Sequence, residues 1–152
     1  MREGDREDFV MLESDPDTTV FTGRSTDAEE MFRYCMEKTD SYALTLDGIF
    51  IGHFTFHRSS LTDVPGGLDA REISFGISPE CRGMGIGTKA LGMAARRAKK
   101  DLKADVLMAG AYSFNGACLT VLERNGFRYL FSRKDRDPEG NEREEKIFMK
   151  LL

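Results

Sequence analysis

The chain has 152 residues with 40% hydrophobic and 32% charged, which suits one globular domain with a buried core. Its net charge of -4 argues against general nucleic-acid binding and leaves cationic small molecules or amines as partners. The polar, acidic start MREGDREDF is no signal peptide, and no apolar run approaches the ~20 residues of a bilayer span, so neither membrane insertion nor secretion is expected and a cytoplasmic setting is.

Residues 5–13 form a candidate helix with Phe9, Leu12 and Val10 facing inward, and Asp15-Pro16-Asp17 breaks it. Thr26-Asp27 caps a second helix to about Glu37, with Met31, Phe32 and Cys35 as its apolar stripe. Ser41–Leu46 and Ile49–Phe56 read as strands, joined by the hairpin dipeptide Asp47-Gly48. Residues 58–69, with Ser59-Ser60 and Pro65-Gly66-Gly67, read as a loop. Ala70–Ser78 is a strand with Ile73, Phe75 and Ile77 on one face and Glu72, Ser74 and Gly76 on the other. Pro79 ends it, a glycine-rich turn follows, and a helix runs to about Lys100.

Asp105–Ala111 is an apolar strand, and Asn115–Arg124 is a short helix stopped by Asn125-Gly126. Phe127–Ser132 and Lys146–Leu152 form a last hairpin around Asp137-Pro138-Glu139-Gly140. The class is α+β. The strand–glycine loop–helix–strand unit in the middle implies a parallel pair with a crossover.

That unit carries the clearest chemical signal. In Arg82-Gly83-Met84-Gly85-Ile86-Gly87-Thr88, alternating glycines let backbone N–H groups converge at a helix N-terminus, where the helix dipole adds positive potential. Such a site holds a phosphate or pyrophosphate, and Arg82 offers a charge-assisted contact. Taken alone, the glycines fit a tight packing turn equally well. The spacing is GxGxG rather than GxGxxG, and no acidic residue ends the next strand, so a dinucleotide fold is disfavoured. A P-loop fails because GxxxxGK[ST] is absent.

Arg82-x-x-Gly85-x-Gly87 resembles the Q/R-x-x-G-x-G/A motif of the GNAT superfamily of N-acetyltransferases. Asn115 to Phe127 is similar to a second block of that family, N-x-x-[SA]-x-x-x-[YL]-E-K-x-G-F. Ala70 to Ile77 resembles A-x-E-I-G-Y-W-I, typical of the branch that acetylates ribosomal-protein N-termini. Arg2 and Asp8 fall where the family's usual start, L-R-x-x-x-x-x-D, would place them, which leaves the first strand clipped or supplied otherwise.

The resemblance implies a mostly antiparallel mixed sheet flanked by helices, in one domain over residues 1–152, and acetyl-CoA as co-substrate. It also implies roles. Gly76 and Ile77 pair with the pantetheine arm, and a backbone N–H near Ile77 stabilises the oxyanion of a tetrahedral intermediate. Arg82, Gly83, Met84, Gly85, Ile86, Gly87 and Thr88 cradle the pyrophosphate. Asn115 bonds the pantetheine arm, although its position suits a helix N-cap as well. Glu72 is the general base through a water, with a solvated strand carboxylate or an ammonium anchor as the plainer alternatives. Leu122 stands where many relatives carry a tyrosine that protonates the leaving thiolate. A thiol of pKa about 8.5 leaves without an obligatory proton, and Tyr112 and Ser113 lie near in sequence.

Several features point away from other chemistry. Cys35, Cys81 and Cys118 are odd in number and lack a CxxC pair, so neither a zinc site nor a disulfide framework is indicated. Cys118 reads as buried packing and Cys81 as exposed. His53 and His57 share a strand face, where structural or substrate-lining roles are favoured over metal binding. Arg96, Arg97, Lys99 and Lys100 suit the dipole at the end of their helix. The function implied is acetyl transfer to a primary amine, a protein N-terminus or a small molecule, by a monomer or homodimer. A non-catalytic acyl-CoA-binding or sensor module of the same fold is the alternative.

Overall fold

The structure is a computed structural model describing residues 1–22, 27–58, 67–136 and 140–152. Most of the 58–69 loop and the tip of the last hairpin lie outside the described residues, as does Thr26. The helices are α1 (Arg6–Ser14), α2 (Pro16–Thr22), α3 (Ala28–Lys38), α4 (Ile86–Asp101) and α5 (Gly116–Arg124). The strands are β1 (Asp40–Leu46), β2 (Ile49–Arg58), β3 (Ala70–Ile77), β4 (Val106–Tyr112), β5 (Arg128–Arg136) and β6 (Glu142–Leu151).

The six strands form one sheet in the order β1-β2-β3-β4-β6-β5. Every neighbouring pair is antiparallel except β3–β4. The class and sheet type match those implied by the sequence. The β1–β2 turn bears out the Asp47-Gly48 signal: both residues have positive φ, 51° and 83°, the geometry that follows the twist of a hairpin. The last two strands extend beyond their sequence limits, to Arg136 and from Glu142. Cross-strand pairs such as Arg133–Glu145 and Lys134–Glu142 carry that polar extension.

One helix was hidden by its proline. Asp15 is extended (ψ 129°) and ends α1, as expected, but Pro16 then starts α2. Proline suits the first helical position because its missing N–H has no partner there, and the Asp15 carboxylate accepts from the Asp17 N–H at 2.8 Å. Among the described residues no strand precedes α1. The Met1 amino group instead donates to Ser41 O of β1 at 2.9 Å.

The sheet has two unlike faces. On one, Phe54, Phe56, Ile73, Leu107, Ala109 and Phe148 pack with Leu91, Leu122 and the alanines of α4. Ala90, Ala94 and Ala98 are almost fully buried and recur at four-residue spacing, so α4 lies close against the strands. On the other face, Phe9 of α1 and Phe32 and Cys35 of α3 form a second cluster, with Phe9 and Phe32 edge to face at 5.4 Å. His53, Thr55 and His57 of β2 point to this face, beside Gly76, Ser74 and Glu72 of β3.

Candidate active site

The parallel strands β3 and β4 pair only over Ala70–Val106, Arg71–Leu107 and Glu72–Met108. Beyond these they part, although β3 continues to Ile77 and β4 to Tyr112. The backbone of β3 facing this gap has no strand partner there, and an unpaired edge is a template for another extended chain. Ser78 N–H donates to Ile51 O of β2 at 3.0 Å. Hydrogen-bonded positions alternate along an antiparallel pair, so Ser78 and Gly76 turn their backbone groups to β2. Phe75 and Ile77 turn theirs to the gap.

Past the end of β3, a short 3-10 turn over Pro79–Cys81 leads to the glycine loop. Gly83 and Gly85 have φ of 74° and 75°, and a Cβ at either would meet nothing within 4 Å. Glycine is required here by conformation and not by crowding, and the space beside it is open. Gly85 caps α4, whose first hydrogen bond runs from Lys89 N–H to Gly85 O at 3.2 Å. The N–H groups of Ile86, Gly87 and Thr88 precede it and have no acceptor within the helix. Gly87 lies against α5, where a Cβ would sit 3.5 Å from Val121 Cγ2.

Arg82 is placed differently from the other loop residues. Its Nε donates to Ile77 O at 2.9 Å, and its terminal nitrogens donate to Asp17 O at 3.1 Å and Thr18 Oγ1 at 2.7 Å. The guanidinium therefore staples α2 to the end of β3. Asn115 caps α5, its Oδ1 accepting from Cys118 N–H at 3.0 Å. Asn125 Nδ2 donates to Thr88 O at 3.1 Å and to Val121 O at 2.9 Å, tying α5 to the first turn of α4.

The sheet face that bears Glu72 and Gly76 is polar and aromatic on both sides of the gap. Glu72 is half-buried and opposes His57 of β2, and His57 Nε2 lies 3.1 Å from Ser74 Oγ. Glu145 of β6 sits over Gly110 of β4 and accepts from Arg133 Nε at 2.6 Å. The Glu145 bond raises the Arg133 guanidinium above its ordinary value, with Glu72 and Asp135 adding to the effect. Tyr112 donates to Asp135 Oδ2 at 2.9 Å. Burial pushes its phenol up to about 12, and Asp135 adds to the shift. Tyr112 stacks on Phe114 at 5.5 Å and Phe114 on Phe21 of α2 at 6.2 Å. Arg143 lies over Tyr112 and Phe114 and donates to Val20 O at 3.0 Å.

A family model described as an acetyltransferase (GNAT) domain matches residues 1–128. The chain belongs to the GNAT acetyltransferase family. Solved structures carry the same fold. A GNAT acetyltransferase from Bacillus anthracis has a TM-score of 0.81 at 22% identity, over 99% of this chain and 91% of that one. A ribosomal-protein-alanine N-acetyltransferase from Brucella melitensis scores 0.77 at 18% identity, over 100% and 97%. Mycobacterium smegmatis RimJ in complex with CoA-disulfide scores 0.83 at 17% identity, over 100% and 79%. A comparison with curated protein sequences finds no match.

Within this GNAT fold the thiols are arranged for packing. Cys118 faces the main core, and burial pushes its thiol up to about 11, which disfavours a nucleophilic thiolate. Cys81, expected to be exposed, is half-buried against the same core. Leu122 is fully buried, so its position offers no proton donor. Among the described residues no three His, Cys, Asp or Glu side chains are grouped to share a metal, and no helix is long and apolar enough to cross a membrane.

Sequence reasoning missed Glu13. Its carboxylate bonds His53 Nε2 at 2.8 Å, with side-chain exposures of 7% and 6%. The signal was available: Glu13 stands four positions after buried Phe9, on the inward stripe of α1. Asp135, Arg143 and Glu145 gave no such signal, because their placement depends on the register of β5 with β6 and β4.

Proposed function

We propose that this GNAT protein moves an acetyl group from acetyl-CoA to a primary amine, with residues 1–152 acting as one domain. The observation that carries this is the parting of β3 from β4, with Ile77 turned into the gap and the left-handed glycine loop at its end. An unpaired strand edge suits an extended, amide-bearing pantetheine arm, and open space beside positive-φ glycines suits a diphosphate. The residues present therefore fit the co-substrate, whose thioester supplies an activated acetyl carbon.

The chain's own groups would act as follows. The N–H groups from Gly83 to Thr88 hold the diphosphate at the positive end of α4. Arg82 contributes by fixing the loop to α2, and its backbone belongs to the cradle. Ile77 aligns the pantetheine arm from the gap edge, while Gly76, expected to pair with the arm as well, has its backbone turned to β2 and holds that edge in place. The Ile77 N–H stabilises negative charge developing on the acetyl oxygen. Asn115 Nδ2 bonds the arm while Oδ1 caps α5. Glu72 receives a proton from the amine through a water. The acceptor enters between α1, α2 and β3–β4. The acidic side chains there favour a cationic amine, and the likeness of Ala70–Ile77 to the ribosomal-protein branch favours a protein N-terminus.

Thiol release from acetyl-CoA, followed with a panel of N-terminal peptides, polyamines and aminoglycosides, tests the function. Acetyl-CoA-dependent release with an amine supports it, and tight coenzyme binding without turnover on any amine contradicts it. The buried Leu122, in place of a proton-donating tyrosine, favours a second reading as an acyl-CoA-binding sensor, and that latter outcome would support it.

A further inference from the structure

We propose that Glu13, held by His53, is a second proton acceptor for the attacking amine, placed beside the thioester. The proposal rests on the acetyl-transfer function above and adds a catalytic residue to it. The geometry centres on Gly76. A Cβ built there would lie 3.1 Å from Glu13 Oε1, 3.2 Å from His53 Nε2 and 3.4 Å from Leu12 Cδ2. The missing side chain thus brings the acid–histidine pair directly against the backbone of β3, one residue from Ile77. Glu72 lies four positions up the strand, about 13 Å away at ~3.3 Å per residue. A carboxylate at Gly76 reaches the reacting nitrogen directly, whereas one at Glu72 needs intervening water.

The pair is also held in place. The Phe9 ring lies 4.6 Å from the His53 ring, and α1 fixes Glu13 through buried Phe9 and Leu12. His53 Nδ1 is buried and has no hydrogen-bond partner among the described residues. Burying a carboxylate and leaving an imidazole nitrogen unpaired is costly, and two apolar side chains would serve packing as well or better. A proton-handling role accounts for polar groups kept at such a position. Of the ionisable groups on the elements packed here, His53 of β2 touches Glu13. His57 of β2 and Glu72 of β3 stand four positions along their strands, and Tyr34 of α3 stacks on His57 at 6.1 Å.

In the step proposed, an ammonium N–H bond breaks and its proton passes to Glu13 Oε1. The freed nitrogen lone pair forms the N–C bond to the acetyl carbon. The second nitrogen proton passes through a water to Glu72, and the C–S bond breaks with its electron pair going to sulfur, which leaves as the thiolate. His53 is a positioning residue that orients the carboxylate.

The test is steady-state thiol release by wild type, E13Q and H53Q from pH 6 to pH 10, with acetyl-CoA affinity measured by calorimetry. The expected result for E13Q is unchanged coenzyme affinity and amine KM, with kcat lower by about 100-fold or more at pH 7. The loss should shrink as pH nears the amine's own pKa, about 10 for an alkylamine, because free amine needs no base. H53Q should lose less, with the same recovery. Full activity of E13Q at pH 7 overturns the proposal, and so does a loss equal at every pH, which marks a structural role. If E13Q does not fold, H53Q decides by the same pH criterion. A wild type that binds no acetyl-CoA overturns the underlying function, whereas a wild type that turns over no faster than E13Q overturns the pair alone.

Discussion

The proposed donor side and acceptor side meet along β3, yet they draw on different parts of the chain. The donor side is made largely of backbone: the gap edge at Ile77 and the N–H groups from Gly83 to Thr88. These lie within about a dozen consecutive residues, and their requirement is conformational, as the φ of 75° at Gly85 shows. The proposed acceptor side is made of side chains from six elements: Glu13 on α1, Phe21 on α2, Glu72 on β3, Tyr112 on β4, Arg133 and Asp135 on β5, and Arg143 and Glu145 on β6. A backbone site is fixed by a short run of sequence. A side-chain site changes with each contributing residue, so the same donor grip can serve many acceptors.

Substitutions can break or sharpen this contrast. Gly85→Glu should have the largest effect. It places a left-handed backbone on a residue that disfavours it and a negative charge in the proposed diphosphate cradle. Acetyl-CoA affinity measured by calorimetry is expected to fall about 100-fold or more, since each tenfold needs only ~1.4 kcal/mol. Glu72→Gln lies on the other side of the divide. It should leave that affinity unchanged and lower kcat/KM at neutral pH by about 10- to 100-fold. Loss of coenzyme binding in this variant would erase the distinction between the two sides.

Tyr112→Phe tests whether the acceptor wall is structural. The phenol of the unfolded chain titrates near 10.0, while burial and Asp135 hold the folded one to about 12. The unfolded state releases its proton first, so this tyrosine's contribution is present below pH 10 and is lost as pH rises toward 12. Phenylalanine should flatten that part of the alkaline stability profile measured by denaturant melts. An unchanged profile would mean the Tyr112–Asp135 bond does not couple to folding. Gly87→Ala should do least. The Cβ meets Val121 Cγ2 at an ordinary 3.5 Å, and a helical Gly→Ala change at a compatible site stabilises by ~0.4–1 kcal/mol. A large loss of thermal stability would show that the α4–α5 approach is tighter than its geometry.

What could be read in the sequence follows the same division. Period-2 patterning placed Ile73, Phe75 and Ile77 on one face and Glu72, Ser74 and Gly76 on the other, and α4 covers the first of these in the fold. Asp47-Gly48 and Asn125-Gly126 marked real turns, because glycine and its partners there answer a local backbone need. Pro16 misled: proline both stops and starts helices, and only the extended Asp15 with its cap of Asp17 decides which. Arg82 was legible as part of a motif but not as a staple, since Asp17 and Thr18 are more than sixty residues away. The Glu13–His53 pair spans forty residues and needed the packing of α1 on β2 to appear. Local backbone chemistry was visible; chemistry assembled by tertiary contact was not.

The proposed place of acetyl-CoA is the gap between β3 and β4. Backbone amide NMR during an acetyl-CoA titration tests it most directly. Binding there should give saturable shifts concentrated at Ile77 and from Gly83 to Thr88, with far smaller ones along β5. Shifts that spare Ile77 and the glycine loop, at saturating coenzyme, would contradict it.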